Sequence, residues 1–165
     1  MSMTELPAHL YLDRLGIPYQ KLTFDESTEK GAASVARALG FRERQMVKTL
    51  IFEADGIRRA LVMVGGDQNV VSGHLKKVFG SRNISMATSE SVLALTGYAV
   101  GSIPPFHWQP DNFPSFLDSA LMNEERLGVG AGVWGHEIVI SPCDLVRASR
   151  CQVVNLTDKS KDVFF

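Results

Sequence analysis

The stretch MVKTLIFEADGIRRALVMV, residues 46–64, decides the fold class of this chain. Residues 46–52 have the strongest strand pattern in the sequence, residues 54–56 are typical of a hairpin turn, and residues 59–64 form the return strand. Helical patterns flank this hairpin on both sides. Hairpins mixed with helices favour an α+β domain over a doubly wound parallel sheet.

Outward from the hairpin, helices and short strands are predicted in both directions. The helices are expected where leucines recur before Gly16, at 32–39, around 74–79, from Thr88 onward and from 141 onward. The strands are expected at 19–24, 115–118, 127–129 and 136–140. We predict a single domain over residues 1–165, with a core from about 6 to 156.

The composition excludes several classes of protein. The formal net charge of −1 provides no overall basic field, which argues against a DNA-binding protein. No apolar run approaches the roughly 20 residues that span a bilayer, and the first residues lack a signal-peptide pattern. Cys143 and Cys151 lack CxxC spacing and are expected to be reduced, buried thiols. These features predict a cytoplasmic protein with no membrane partner.

The familiar motifs of metal sites and nucleotide sites are missing from the sequence. The four histidines show no pair with metal-ligand spacing. The glycine-rich dinucleotide motif, the P-loop and the nucleophile elbow are also absent. We therefore expect no metal and no cofactor.

The segment GYAVGSIPP, residues 97–105, is the first candidate for a functional loop. Glycine lets the backbone approach a ligand closely, and the two prolines fix the direction in which the chain leaves. Backbone N–H groups in such a loop could hold an ester or anionic oxygen. The alternative is a tight connection between a helix and a strand.

Lys48 interrupts the apolar strand of the hairpin, and its pattern has two interpretations. Lys48 either points to solvent, or it shares a face with Met46, Leu50 and Phe52 at the edge of a cleft. In the second case the ammonium could anchor a phosphate or a carboxylate.

Other polar residues are weaker candidates. His107 could line a pocket, and Asp118 is either a turn residue or an orienting acid. His136 and Glu137 begin a strand after a glycine turn, and one of the two faces inward; the pattern does not say which.

The combination of these segments resembles the YbaK/prolyl-tRNA editing family. The resemblance rests on MVKTLIF after a helix ending in LeuGly, then GYAVGSIPPF, PSFLD and GVGAGVWGHEIVISPCDL, from about residue 6 to 145. Members include free-standing relatives of the editing domain of bacterial prolyl-tRNA synthetases. The resemblance implies a mostly antiparallel mixed sheet that is curved into a partly open barrel and flanked by helices.

The resemblance also implies a function and a site. Family members hydrolyse the ester of a mischarged aminoacyl-tRNA, typically alanine or cysteine on proline tRNA, by substrate-assisted attack. Lys48 matches the essential lysine, and Gly101 matches the glycine whose N–H faces the scissile carbonyl. The implied partners are the acceptor end of aminoacyl-tRNA and prolyl-tRNA synthetase. The residues expected to contact substrate are Phe24, Thr49, Ser102, Pro105, Asp118, Gly130, Gly132, His136 and Glu137.

Two departures from the family pattern leave the edited amino acid open. Cysteine-deacylating members often carry a serine and two glycines where this chain has Gly130, Ala131 and Gly132. They also tend to have aspartate where Glu137 stands, and the extra methylene changes what fits the pocket. A non-catalytic relative that binds tRNA, a synthetase or a small amino-acid-like ligand is the alternative to a deacylase.

Overall fold

Five α-helices and eight β-strands form along residues 5–159, the part of the chain that the computed structural model describes. In chain order they are α1 (Pro7–Leu15), β1 (Gln20–Thr23), α2 (Ala32–Leu39), β2 (Val47–Ala54), β3 (Arg58–Gly65), α3 (Ser72–Phe79), β4 (Ile84–Met86), α4 (Ser89–Thr96), β5 (Ser115–Asp118), β6 (Leu127–Gly130), β7 (His136–Ile140), α5 (Pro142–Ser149) and β8 (Gln152–Val154). Short 3₁₀ helices cover Glu43–Gln45 and Ser119–Asn123. The predicted α+β class is confirmed.

The predicted hairpin lies inside the larger of two sheets. β2 and β3 pair antiparallel along their whole length, from Val47 opposite Gly65 to Ala54 opposite Arg58. The sheet order is β4–β2–β3–β5–β8, with parallel pairing between β3 and β5 and between β5 and β8. The smaller sheet, β1–β7–β6, is antiparallel throughout.

The two sheets meet where β2 begins. An isolated parallel bridge pairs Met46 with Gly128 of β6. A Cβ on Gly128 would lie 2.5 Å from Met46 Cε, so glycine lets the Met46 side chain pack directly on the β6 backbone. The strands form two separate sheets, and the partly open barrel is not confirmed.

Apolar side chains cover both faces of the larger sheet. On one face Leu61, Met63 and Leu117 join Val129 and Ile138 of the smaller sheet in the main core. On the other face Val62, Val64 and Phe116 pack with α3. Burial on both faces explains why RALVMV is a continuous apolar run rather than an alternating one.

Several local predictions need correction. β2 begins at Val47 and continues to Ala54, because Phe52 to Ala54 also pair with β4. β8 was not predicted, since its three residues are too few for a periodic signal. Cys143 is exposed rather than buried. At the C-terminal end Asp158 is hydrogen-bonded to Asn155, and residues 160–165 lie outside the described part.

The five α-helices are short, with nine residues in α1 and eight in each of the others. None of the helices within residues 5–159 is long and apolar enough to cross a bilayer.

Candidate functional site

A cavity of about 430 Å³ opens at the junction of the two sheets. We call it the lysine cavity. Its lining combines both sheets, α2 and the loop at 97–105. The lining residues are Lys30, Gly31, Ala32, Val35, Met46, Val47, Lys48, Thr49, Leu50, Val100, Gly101, Ile103, Gly130, Trp134 and Glu137.

Lys48, the second residue of β2, contributes a cation to the lysine cavity. It shares a face with Leu50 and Phe52, which pack partly buried against the α3 side of the sheet, so Lys48 is half-buried rather than fully exposed. Within residues 5–159, the Lys48 ammonium forms no ion pair and no hydrogen bond. A partly buried cation without a protein partner is free to bind an anionic or carbonyl oxygen.

Thr49 supplies an uncharged polar group beside Lys48. Its hydroxyl oxygen is buried and lacks a hydrogen-bond partner among the described residues. Thr49 shares a face of β2 with Val47 and Ile51, which is the face that packs on the main core. Both residues 48 and 49 nevertheless reach the cavity, because it lies at the end of the strand.

The loop after α4 places a bare stretch of backbone at the cavity. Gly101 has φ +96°, and a Cβ there would meet no atom within 4 Å. The Ser102 N–H donates to the Ala99 carbonyl oxygen at 3.1 Å, which closes the turn. The Gly101 N–H forms no backbone hydrogen bond in the described chain, and Gly101 is part of the cavity lining.

The rest of this loop is held firmly. The Trp108 indole N–H donates to the Pro104 carbonyl oxygen at 2.6 Å, and the Gln109 amide donates to the Pro105 carbonyl oxygen at 2.9 Å. Pro105 and Ser102 are buried behind Gly101 and do not line the cavity. They fix the loop rather than touch its open face.

The smaller sheet carries an acid into the lysine cavity. Glu137 of β7 pairs with Gly130 of β6 and is only 8% exposed. Burial raises the pKa of Glu137 to about 8. Of the two neighbours that the sequence could not separate, Glu137 faces the cavity, and His136 is not part of its lining.

The raised pKa of Glu137 predicts a pH-dependent stability. Between the unfolded value of 4.5 and about 8, the folded chain keeps a proton that the unfolded chain has released. The contribution of Glu137 to the free energy of unfolding should therefore be fully present below pH 4.5 and be lost as pH rises to about 8, by at most about 1.4 kcal/mol per pH unit. Urea unfolding at pH 5, 6.5 and 8 should show this fall, and Glu137→Gln should flatten it. Equal slopes in both proteins would contradict the prediction.

Trp134 lines the cavity and was missed by the sequence analysis. Its indole N–H donates to the Glu26 carbonyl oxygen at 3.1 Å, and Lys30 Nζ lies 3.8 Å from the ring centroid. Phe24 packs against the Trp134 ring at 4.8 Å, edge to face, and so supports the wall from behind. The sequence did contain one indication of this position: Trp134 directly precedes Gly135, which has φ +100°, and a large side chain beside such a tight turn is exposed to a ligand.

Three other predicted residues lie away from the cavity lining. Gly132 packs on the Tyr98 ring, His136 pairs with Thr23, and Asp118 accepts hydrogen bonds from the Leu156 N–H and the Thr157 hydroxyl, each at 2.8 Å. Asp118 is thereby placed to hold the C-terminal segment against β5.

His107 belongs to a second cavity of about 300 Å³. Its Nε2 lies 2.6 Å from the Tyr98 hydroxyl oxygen, and burial lowers the pKa of His107. No group of three or more potential metal ligands occurs within residues 5–159.

The family model for the aminoacyl-tRNA editing domain matches residues 26–148, which include every residue that lines the lysine cavity. The chain belongs to the aminoacyl-tRNA editing domain family. Among curated relatives of this editing domain is EbsC of Enterococcus faecalis (strain ATCC 700802 / V583), provisionally named as a Cys-tRNA(Pro)/Cys-tRNA(Cys) deacylase. The two chains are 26% identical over 144 residues, which is 87% of each.

Other relatives of the editing domain are parts of larger enzymes. The proline–tRNA ligase of Staphylococcus aureus (strain Newman) is 31% identical over 110 residues. That alignment covers 67% of this chain but only 19% of the ligase. The shared segment is therefore a small part of the ligase.

Solved structures agree with the fold of the editing domain. A crystal structure described as that of a candidate trans-editing enzyme for prolyl-tRNA synthetase superimposes with a TM-score of 0.82 and 25% identity, covering 94% of this chain and 99% of that one. The hypothetical protein APE2540 gives a TM-score of 0.81 with 26% identity, covering 90% and 97%. The match extends over nearly the whole described chain.

Proposed function

We propose that this chain is a trans-editing hydrolase that deacylates mischarged aminoacyl-tRNA. The proposed substrate is a proline tRNA that carries a small wrong amino acid, the class to which alanine and cysteine belong. A synthetase pocket rejects small side chains poorly, so a separate hydrolytic site is needed to remove such errors. The names of the relatives support the deacylase activity.

The observation that carries the proposal is the pairing of Lys48 with Gly101 across one cavity. Lys48 supplies a cation without a protein partner, and Gly101 supplies an open backbone N–H. An aminoacyl ester offers two matching groups, the carbonyl oxygen and the phosphate-bearing terminal nucleotide. A backbone donor and a cation placed in this way stabilise the charge that develops on the carbonyl oxygen during attack.

The proposed reaction is ester hydrolysis with the ester held in place by the protein. A water molecule gives up a proton to a group of the substrate itself and adds to the carbonyl carbon. The Gly101 N–H stabilises the negative charge that then develops on the former carbonyl oxygen. The bond to the terminal ribose oxygen then breaks and that oxygen takes up a proton, which gives a free amino acid and an uncharged tRNA. Holding the ester and the attacking group together accounts for much of the rate gain.

A panel of mischarged tRNAs tests this proposal. Purified protein is incubated with proline tRNA charged with alanine, cysteine, serine or proline, and the release of labelled amino acid is followed against a blank without enzyme. We expect hydrolysis of at least one mismatched ester and slow hydrolysis of prolyl-tRNA. Binding without hydrolysis of any ester would favour the non-catalytic alternative.

We further expect weak binding to uncharged tRNA with a shallow salt dependence. The net charge is −1, and the cations at the lysine cavity are Lys30 and Lys48. Two neutralised phosphates predict a slope of log K against log salt concentration of about −2 or less in magnitude. Filter binding between 50 and 300 mM salt measures the slope, and Lys30→Ala should reduce its magnitude by about 1. A much steeper slope would show that a larger basic surface takes part.

A further inference from the structure

Glu137 presents a carboxyl group to the lysine cavity without using it in the fold. Its side chain is more than nine-tenths buried, and no residue within 5–159 forms a hydrogen bond or an ion pair with it. Much of the surrounding wall is apolar, with Val35, Met46 and Ile103 among its members. Because Glu137 lines the cavity and lacks a protein partner, its carboxyl group is available to form hydrogen bonds with a ligand.

Two glycines of β6, Gly128 and Gly130, leave space next to the Glu137 carboxyl. A Cβ on Gly128 would lie 3.0 Å from Glu137 Oε2, and a Cβ on Gly130 would lie 3.0 Å from the carbonyl of Ser102. The two glycines therefore let the carboxyl and the loop behind Gly101 approach β6 together. This brings Glu137 close to the loop at which the ester is proposed to be held.

The charges in the cavity limit what Glu137 can bind. The other charged groups that line it are Lys30 and Lys48, and neither is paired with Glu137. Burial keeps this acid protonated at neutral pH, since its pKa is raised to about 8. A neutral carboxylic acid offers one O–H donor together with acceptor oxygens. Its complement is a hydroxyl group, which also donates and accepts, whereas a methyl group would leave the acid unpaired.

We propose that the Glu137 carboxyl binds the side-chain hydroxyl of the esterified amino acid, so that the cavity selects serine and threonine over alanine. The inference rests on the proposed function and narrows its substrate class. A site built to hydrogen-bond a substrate hydroxyl discriminates strongly against the analogue that lacks it, because the buried partner is then left unpaired.

The test compares hydrolysis of seryl, threonyl and alanyl esters on one and the same proline tRNA, prepared with an acylating ribozyme so that only the amino acid differs. For the unchanged protein we expect kcat/KM for the seryl ester to exceed that for the alanyl ester by roughly tenfold or more. Glu137→Met, which removes the polar group at similar volume, should abolish or reverse this ratio. Glu137→Gln, which keeps a neutral donor and acceptor, should preserve the ratio to within a few fold.

The dependence on pH provides a second readout. Above pH 8 Glu137 ionises beside Lys30 and Lys48 and becomes an acceptor only, to which a serine hydroxyl can still donate, so the ratio of the seryl to the alanyl rate in the unchanged protein should change across this range but stay above one. Glu137→Gln should keep its ratio across the same range, with spontaneous ester hydrolysis subtracted at each pH.

Each contrary outcome identifies what has failed. Equal loss of all three activities in Glu137→Met would place Glu137 on a part that the substrates share, such as the ribose or the α-amino group, and would overturn the inference. Equal rates on seryl and alanyl esters in the unchanged protein would also overturn it. Absence of hydrolysis on every ester would instead overturn the proposed function.

Discussion

Replacing Lys48 with alanine is expected to lower kcat/KM for the mischarged ester by more than about 100-fold while the fold stays intact. Lys48 lies in the lysine cavity without a partner among the described residues, so its removal takes a cation from the substrate and leaves no protein group unpaired. Single-turnover deacylation measures the loss, and thermal unfolding monitored by circular dichroism measures stability.

Two further variants separate charge from packing. Lys48→Met keeps the apolar stem of the side chain and should be as inactive as Lys48→Ala. Lys77→Ala removes an exposed lysine of α3 and should retain full activity. If Lys48→Ala hydrolyses the ester at the unchanged rate, or fails to fold, Lys48 serves the structure and the proposed site is wrong.

Replacing Gly101 with alanine should reduce turnover by about 100-fold or more. The residue has φ +96°, and the added methyl group would enter the open space in which the ester is proposed to lie. The strain at positive φ is roughly 1 kcal/mol, which should lower the melting temperature only slightly. Single-turnover rates with saturating enzyme separate lost turnover from weakened binding.

Gly97→Ala is the matched control for backbone strain. Gly97 has φ +81° and belongs to the same loop, and a Cβ added there would likewise meet no atom within 4 Å, but Gly97 does not line the lysine cavity. The variant should lose a similar amount of stability and keep its activity. If Gly101→Ala keeps as much activity as Gly97→Ala and the unchanged protein, the loop is only a connection between α4 and β5.

Local chemistry made much of this fold predictable. Glycines at positive φ end four of the helices, as at Gly40 and Gly80, and the 54–56 turn closes the central hairpin. The joint pattern of Lys48 and the Gly101 loop also carries the resemblance to the family at the level of sequence. These signals are short-range, so they survive without knowledge of the tertiary structure.

What the sequence could not provide depends on long-range pairing. The β6–β7 register, with Gly130 opposite Glu137, determines that Glu137 rather than His136 enters the cavity. Trp134 becomes part of the wall only because the distant loop at 24–30 folds over it. Gly128 could have been predicted to be a packing site, because a glycine inside a strand indicates that another group approaches the backbone closely.

The bridge between Met46 and Gly128 has a consequence for how such a site can diversify. Lys48 stands on the larger sheet, whereas Glu137 and Gly130 stand on the smaller one. Under the proposed roles, the cation that binds the ester and the carboxyl that binds the amino-acid side chain therefore belong to different sheets. We expect that substitutions confined to β6 and β7 can exchange one edited amino acid for another while ester cleavage continues. One scaffold could in this way give rise to a set of paralogues that share their chemistry and divide the errors among them.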